Sequence, residues 1–152
     1  MAKVLIIYDS VTGHTEAMAK AVAEGARTVK KVNVDLKKIG TPFPLTILDA
    51  ADAIIIGSPS RYSHETEVVR YFLKAVADYN KAGRLKLEGK IGAVFGSYGW
   101  DGGWNIEMLE NNLTELGMKI GGSTVLAVNA PTEKVLDACR QLGKTIADKI
   151  AK

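Results

Sequence analysis

The segment YDSVTGHTEAMA near the start of the chain gathers three hydroxyl-bearing residues and one glycine within six positions: Ser10, Thr12, Gly13 and Thr15. No lysine or arginine lies among them. The segment follows the apolar run VLII and precedes a helical pattern, so it marks the turn from a strand into a helix. The first turn of a helix has unpaired N–H groups and partial positive charge. The residue types therefore predict a phosphate-binding loop.

Helix capping is the alternative interpretation of these hydroxyls, because serine and threonine are common N-caps. One cap needs one hydroxyl, so three favour a ligand. Gly13 lets a ligand approach the backbone closely, and the backbone N–H of His14 is a further donor. The GxxxxGK[ST] and GxGxxG patterns are absent, which argues against ATP or NAD bound in those modes. The missing lysine predicts a monophosphate that is held permanently, not transferred.

Two further segments combine small residues with aromatic ones. GSPSRY ends in Tyr62, and GSYGWDGG contains Tyr98 and Trp100 among four glycines. Exposed loops seldom carry such aromatic residues unless something stacks on them, so these segments predict walls for a flat ring. The alternative is that the aromatic rings fold back onto the core.

The elements that must position these segments alternate along the chain. Nearly continuous apolar runs at 3–9, 52–58 and 90–97 are typical of strands covered on both faces. We also expect weaker strands at 31–39 and 123–130, helices at 14–28, 65–80, 104–117 and 132–150, and a short helical turn at 45–50. This order predicts one α/β domain spanning residues 1–152, with a doubly wound five-stranded parallel sheet between two layers of helices. Ligands of such sheets bind beyond the carboxyl ends of the strands, where the three segments lie.

Together the SVTGHT turn with the following AMA, the GSP and the GSYGWDGG resemble flavodoxins and the flavodoxin domain of diiron flavoproteins. The resemblance covers essentially the whole chain. It implies a three-layer flavodoxin-like fold with strand order 2-1-3-4-5 and FMN as cofactor.

The resemblance also assigns residues to parts of FMN. It implies a phosphate loop of Ser10, Val11, Thr12, Gly13, His14 and Thr15. It implies that the ribityl chain and one edge and face of the isoalloxazine are bordered by Pro59, Ser60, Arg61 and Tyr62. The opposite wall would be Ser97, Tyr98, Gly99 and Trp100, with Trp100 stacking on the ring. The loop around the pyrimidine edge would be Asp101, Gly102 and Gly103.

The function implied by the resemblance is low-potential electron transfer between redox partner proteins. The alternative is an FMN-dependent NAD(P)H:quinone oxidoreductase, because GHTEAMAKAVAEGA and GSPSRY also resemble those enzymes. GSYGWDGG is more similar to flavodoxins. A third class, a flavin-free signalling domain with a phosphoacceptor, is disfavoured. It would need an aspartate at the end of the third strand, where this chain has Gly57 and Ser58.

Charge and composition limit the other function classes. The net charge is +3 and lysines are scattered, which predicts no nucleic-acid binding and partners with acidic docking surfaces. No apolar run approaches a membrane-spanning length and no signal peptide pattern opens the chain, so we expect a cytoplasmic protein that does not bind membranes. We expect a monomer or weak oligomer. The single cysteine, Cys139, lies at helical spacing with apolar residues and is expected to be buried.

Overall fold

The computed structural model describes residues 1–61, 64–100 and 102–151, and for Arg61 and His64 it describes the backbone alone. The strands are β1 Ala2–Tyr8, β2 Val32–Lys38, β3 Ala53–Arg61, β4 His64–Glu65, β5 Ile91–Tyr98, β6 Lys119–Ile120 and β7 Val125–Val128. The helices are α1 His14–Arg27, α2 Ile47–Ala50, α3 Glu67–Lys81, α4 Trp104–Glu107, α5 Leu109–Glu115 and α6 Glu133–Ile150. The predictions for Tyr62 and Asp101 lie outside the described residues.

The sheet has the predicted doubly wound order. Its strands run β2-β1-β3-β5, and the fifth position is shared by β6 and β7, which both pair with β5. The pairings along this path are all parallel. Strand β4 is a two-residue antiparallel extension of β3. The order 2-1-3-4-5 is therefore confirmed, with β6 and β7 together forming the fifth strand.

The fifth strand is broken where the sequence predicted one strand at 123–130. Residues 121–124 separate its two halves. Gly121 lies so close to β5 that a Cβ atom there would be 2.5 Å from a side-chain atom of Ile91. Glycine in a strand often marks such a close approach. The N–H of Gly121 still donates to the carbonyl oxygen of Gly92 at 2.9 Å, so the pairing with β5 stops only after this residue. The predicted helix at 104–117 is also divided, into α4 and α5.

Apolar side chains fill both faces of the sheet, because alternate residues of a strand point to opposite sides. In β1, Val4 and Ile6 pack into a core with α1 and α6. Leu5 and Ile7 pack into a second core, which includes residues of α3 and α5. These two cores explain the nearly continuous apolar runs and confirm the three-layer arrangement.

Helices α1 and α6 pack backbone to backbone on one face of the sheet. A Cβ atom on Gly143 would lie 1.9 Å from the carbonyl oxygen of Val22, and one on Gly25 would lie 1.8 Å from that of Arg140. Only glycine permits this approach. Cys139 lies fully buried in the same layer, and burial raises the pKa of its thiol to about 12. Among the described residues, no helix has the length and apolar character to cross a membrane.

Candidate functional site

The first loop turns the chain from β1 into α1 through Gly13. This residue is the N-cap of α1 in the left-handed conformation, with φ of 95°, and no side chain caps the helix in the usual way. Instead, Ser10 Oγ accepts hydrogen bonds from the N–H groups of Gly13 at 3.1 Å and Glu16 at 3.2 Å. The N–H groups of His14 and Thr15 have no acceptor within the described part of the chain. The loop therefore keeps donors free at a helix start.

Thr15 connects this loop to the end of β5. Its hydroxyl lies 2.8 Å from that of Ser97, and both residues are buried. Two hydroxyls contribute two protons, and one of these suffices for their mutual hydrogen bond. The pair therefore keeps one proton that it can donate to a third group.

Tyr8 fixes the start of the same loop. Its hydroxyl donates to Glu16 Oε2 at 2.8 Å, which joins the end of β1 to the first turn of α1. Burial, followed by the hydrogen bond and the negative charge of Glu16, raises the pKa of Tyr8 to about 12. The phenol thus stays protonated and donating to a higher pH than an ordinary tyrosine.

The second segment is a hairpin that the sequence did not predict. Strand β3 continues beyond the expected end at 58 to Arg61, and β4 returns antiparallel to it, with Ser60 opposite Glu65. Pro59 is buried and lies beside Ser97 of β5. Ser60 Oγ donates to Asn105 Oδ1 at 2.8 Å, which ties this hairpin to the start of α4.

A third hydrogen bond joins the first loop to the helix after the hairpin. Thr66 Oγ1 donates to Asp9 Oδ2 at 2.6 Å, and both residues are buried. Thr66 is also the N-cap of α3, accepting from the N–H of Val69. With the Thr15–Ser97 and Ser60–Asn105 bonds, each of the three segments is hydrogen-bonded to the other two. Such bonds preorganise a binding site and reduce the entropy lost on binding.

A cleft opens between the three segments at the carboxyl edge of the sheet. None of its lining residues is a lysine, arginine, aspartate or glutamate, and most have hydroxyl groups or small side chains: Val11, Thr12, His14, Pro59, Ser60, Ser97, Tyr98, Gly99 and Asn129. Eight of these nine were predicted from the sequence, so the structure brings the predicted segments together.

The predicted residues outside this lining fall into four groups. Ser10, Gly13 and Thr15 hold the turn into α1, through the hydrogen bonds of Ser10 and Thr15 and the N-cap position of Gly13. Gly102 and Gly103 lie in the turn into α4, both with positive φ. Trp100 follows Gly99 and is 80% exposed. The side chain of Arg61, and all of Tyr62 and Asp101, lie outside what the structure describes.

The two aromatic residues of the third segment behave differently. The ring of Tyr98 packs over Gly103, where a Cβ atom would lie 2.5 Å from it, and against the core on that face. Tyr98 therefore combines the two interpretations of the sequence, since it lines the cleft and also folds back. Trp100 is largely exposed instead. Trp104 begins α4 and is half-exposed.

Four residues of the site region escaped the sequence argument: Asp9, Thr66, Asn105 and Asn129. Asn129 follows β7, and its N–H donates to the carbonyl oxygen of Tyr98 at 2.6 Å. Asn129 follows the carboxyl end of the fifth strand, where ligands of such sheets bind. Its position in the sequence could therefore have marked it as a candidate. The other three form hydrogen bonds between distant segments, for which the sequence contains no local signal.

Comparisons with known proteins agree on the family. The sequence model of the flavodoxin family matches residues 6–143. The chain is 32% identical to the flavodoxin of Aquifex aeolicus strain VF5 over 168 aligned positions, which cover 99% of this chain and 88% of that protein. It is also 32% identical to putative diflavin flavoprotein A 4 of Nostoc sp. strain PCC 7120, covering 98% of this chain but only 25% of that protein.

A solved structure of a flavodoxin from the domain Archaea has the same fold. It superposes with a TM-score of 0.84 and 32% identity, covering 97% of this chain and 98% of the archaeal one. The strand order, the three segments at the carboxyl edge of the sheet and these matches agree, and the chain belongs to the flavodoxin family.

Proposed function

We propose that the cleft binds FMN and that the protein carries electrons between redox partner proteins. The observation that carries this proposal is the set of open donors at the start of α1, in a cleft built from three mutually hydrogen-bonded segments. Bound FMN would supply the redox chemistry. The protein would hold and orient it and determine which partners approach.

The first loop suits a phosphate ester. The free donors are the N–H groups of His14 and Thr15, the exposed hydroxyl of Thr12 and the spare proton of the Thr15–Ser97 pair. The α1 dipole adds partial positive charge. A Cβ atom at Gly13 would meet no protein atom within 4 Å, so the space beside the loop is open. None of the residues lining the cleft is an aspartate or glutamate that would repel a dianion.

The other two segments suit the remainder of FMN. Pro59 and Ser60 border the cleft from β3, and Tyr98 and Gly99 border it from β5. We assign the polyol chain to the space between Ser60 and Ser97, and the ring to the outer rim near Trp100. This assignment follows the family resemblance, and the small side chains at both walls support it.

Apolar residues around the cleft support a carrier that docks with proteins. Among the described residues, the large hydrophobic side chains that remain exposed are Met1, Val11, Val68, Tyr71, Trp100, Trp104, Met108 and Val128. Apart from Met1, all belong to the loops at the carboxyl edge of the sheet, to the strand end there, or to the early turns of helices that begin there. Exposed apolar side chains concentrated in one region are typical of interaction sites.

The sign of the partner's docking surface is a separate question. The net charge of the chain, +3, predicts a partner with an acidic docking surface. This remains a prediction. One segment of the chain has the opposite charge, since residues 91–118, which include β5, α4 and α5, contain four acidic residues but no lysine or arginine: Asp101, Glu107, Glu110 and Glu115. Glu107 and Glu115 are exposed on α4 and α5. We therefore propose that a partner approaching the cleft from this side presents basic residues.

The experiment is a titration followed by an electron-transfer assay. The purified apoprotein is titrated with FMN, reduced chemically and mixed with cytochrome c, a basic one-electron acceptor, at increasing ionic strength. We expect tight FMN binding, rapid reduction of cytochrome c, and rates that fall with salt. NADH and NADPH should leave the bound flavin oxidised. Rapid bleaching by either nucleotide, with quinone as acceptor, would instead establish the oxidoreductase alternative.

The docking side has its own matched variants. Glu107→Gln combined with Glu115→Gln should slow the reaction with cytochrome c and weaken its salt dependence. Asp148→Asn removes one charge from α6, on the opposite face of the sheet, and should leave the rate unchanged. A rate that rises with salt would favour the acidic partner predicted from total charge.

A further inference from the structure

A second groove lies beside the cleft and is lined by strand β4 and by the segment from α4 to α5. Its volume is about 350 Å³, and none of its described lining residues belongs to the lining of the cleft. The two are joined by one hydrogen bond, because Asn105 of the groove accepts from Ser60 of the cleft. A ligand in the groove would therefore lie directly behind one wall of the cleft.

One wall of the groove is apolar. Trp104 and Met108 lie one helical turn apart, and the N–H of Met108 donates to the carbonyl oxygen of Trp104 at 3.1 Å. Both side chains are about half-exposed, at 50% and 49%. Exposed apolar side chains beside each other are typical of interaction sites, and the face of an exposed indole also attracts cations.

The polar groups of the groove favour a cation. Glu115 is exposed and makes no ion pair with any described residue. Glu65 accepts from Arg70 at 3.1 Å, so its charge is already compensated. Asn111 and Asn112 are exposed and add amide oxygens that accept hydrogen bonds. Among the described lining residues there is no lysine or arginine, so the groove presents one uncompensated negative charge beside an indole.

Asn105 is the most deeply buried of the described lining residues, at 4% exposure. Its Oδ1 accepts from Ser60, but its Nδ2 has no partner in the part of the chain that the structure describes. Buried polar groups almost always have one. If the carboxamide turned over, Nδ2 would donate to Ser60 Oγ and Oδ1 would accept from a ligand instead. A ligand that donates hydrogen bonds would therefore satisfy this side chain.

We propose that this groove binds an arginine side chain of a redox partner protein. The guanidinium stacks on Trp104, pairs with Glu115 and donates to the turned carboxamide of Asn105. A planar group with five N–H donors fits several acceptors around one indole better than the compact ammonium of lysine does. The inference rests on the proposed function for the identity of the partner, and it places the anchoring contact one hydrogen bond away from the cleft.

The test is a nuclear magnetic resonance titration of the isotopically labelled protein, loaded with FMN, using N-acetylarginine methylamide as the probe. The indole N–H of Trp104 and the carboxamide of Asn105 report on the groove, and the indole N–H of Trp100 reports on a residue outside it. N-acetyllysine methylamide has the same charge without the planar group and is the matched probe. Glu115→Gln removes the charge of the groove. Glu107→Gln is the matched variant, because Glu107 is exposed on α4 but does not line the groove.

We expect saturable shifts of the Trp104 and Asn105 signals, no shift of the Trp100 signal, and binding of the arginine probe about threefold or more tighter than of the lysine probe. Glu115→Gln should weaken binding of the arginine probe about twofold to fivefold, as for an exposed ion pair. Trp104→Leu, followed through Asn105, should weaken it by about the same factor through the lost cation–π contact. Glu107→Gln should bind the probe as the wild type does.

Three results would overturn the inference. Equal affinities for the two probes would show that the groove does not recognise a guanidinium. Equal losses in Glu107→Gln and Glu115→Gln would show that the acidic segment attracts cations without a defined site. Shifts of the same signals that grow with protein concentration, without any probe, would identify a second copy of the chain as the occupant.

These results are distinguishable from a failure of the proposed function. The titration of the groove gives its result with or without FMN, so each of the three leaves the proposed function intact if the protein binds FMN. A protein that binds no flavin would overturn the proposed function and, with it, the identification of the partner as a redox protein.

Discussion

A substitution at Thr12 should change the affinity for FMN without changing the stability of the fold. Its side chain is exposed and lines the cleft, and it makes no hydrogen bond to any described residue. Thr12→Val keeps the shape of the side chain and removes only the hydroxyl. The free energy of unfolding should therefore stay within about 0.5 kcal/mol of the wild-type value, as is usual for surface changes.

The same substitution should strongly weaken the binding of FMN. A hydrogen bond to a charged group contributes about 1.5–3 kcal/mol, and 1.4 kcal/mol is tenfold in affinity. Loss of the Thr12 hydroxyl should thus reduce the affinity for FMN about 10-fold to 150-fold. Riboflavin lacks the phosphate, so its affinity should change by less than about threefold.

Fluorescence titrations with FMN and riboflavin, together with urea unfolding of the apoprotein, measure all three quantities. Thr114→Val, on the solvent-exposed side of α5, is the matched control and should alter neither affinity. Equal losses for FMN and riboflavin in Thr12→Val would refute the reasoning, because the hydroxyl would then not act on the phosphate. Unchanged affinity for FMN would refute it as well.

Four further substitutions probe the scaffold of the site. Thr15→Val leaves the buried Ser97 hydroxyl without its partner and should lower the free energy of unfolding by about 1–3 kcal/mol in urea; an unchanged value would show that the pair contributes nothing. Gly143→Ala forces α1 and α6 apart and should lower the free energy of unfolding by about 1–3 kcal/mol, without altering the preference for FMN over riboflavin. Gly13→Ala should lower the free energy of unfolding by about 1–2 kcal/mol because of its left-handed φ, and it should also weaken the binding of FMN. Because the pKa of Tyr8 is raised from 10.0 to about 12, its protonated form contributes stability that is fully present below pH 10 and is lost as the pH rises towards 12. Tyr8→Phe should flatten that alkaline decline in urea midpoints, and an identical decline in the variant would contradict the assignment.

Most of the fold could be predicted because its strands are covered on both faces. The apolar runs around Ile6, Ile55 and Val94 mark β1, β3 and β5 within a few residues. The break in the fifth strand could not be predicted, because no local pattern marks where the pairing with β5 stops after β6 and resumes at β7. The helix that begins at Trp104 is divided into α4 and α5, and this division likewise has no signal in the sequence pattern.

The site was predictable at the level of segments but not of contacts. Parallel strands bring their carboxyl ends to one edge, so the loops near Thr12, Pro59 and Tyr98 had to meet. The hydrogen bond between Asp9 and Thr66 joins residues far apart in sequence, and no local pattern marks either of them. The hairpin that extends β3 to Arg61 also depends on pairing with β4, since Pro59 is a poor indicator of a continuing strand.

The measurement that tests the central claim most directly is a crystal structure of the complex with FMN. The phosphate should lie at the start of α1, with its oxygens within hydrogen-bonding distance of the N–H groups of His14 and Thr15 and of the Thr12 hydroxyl. A phosphate seated elsewhere, or a cleft that stays empty in crystals grown at saturating FMN, would contradict the account.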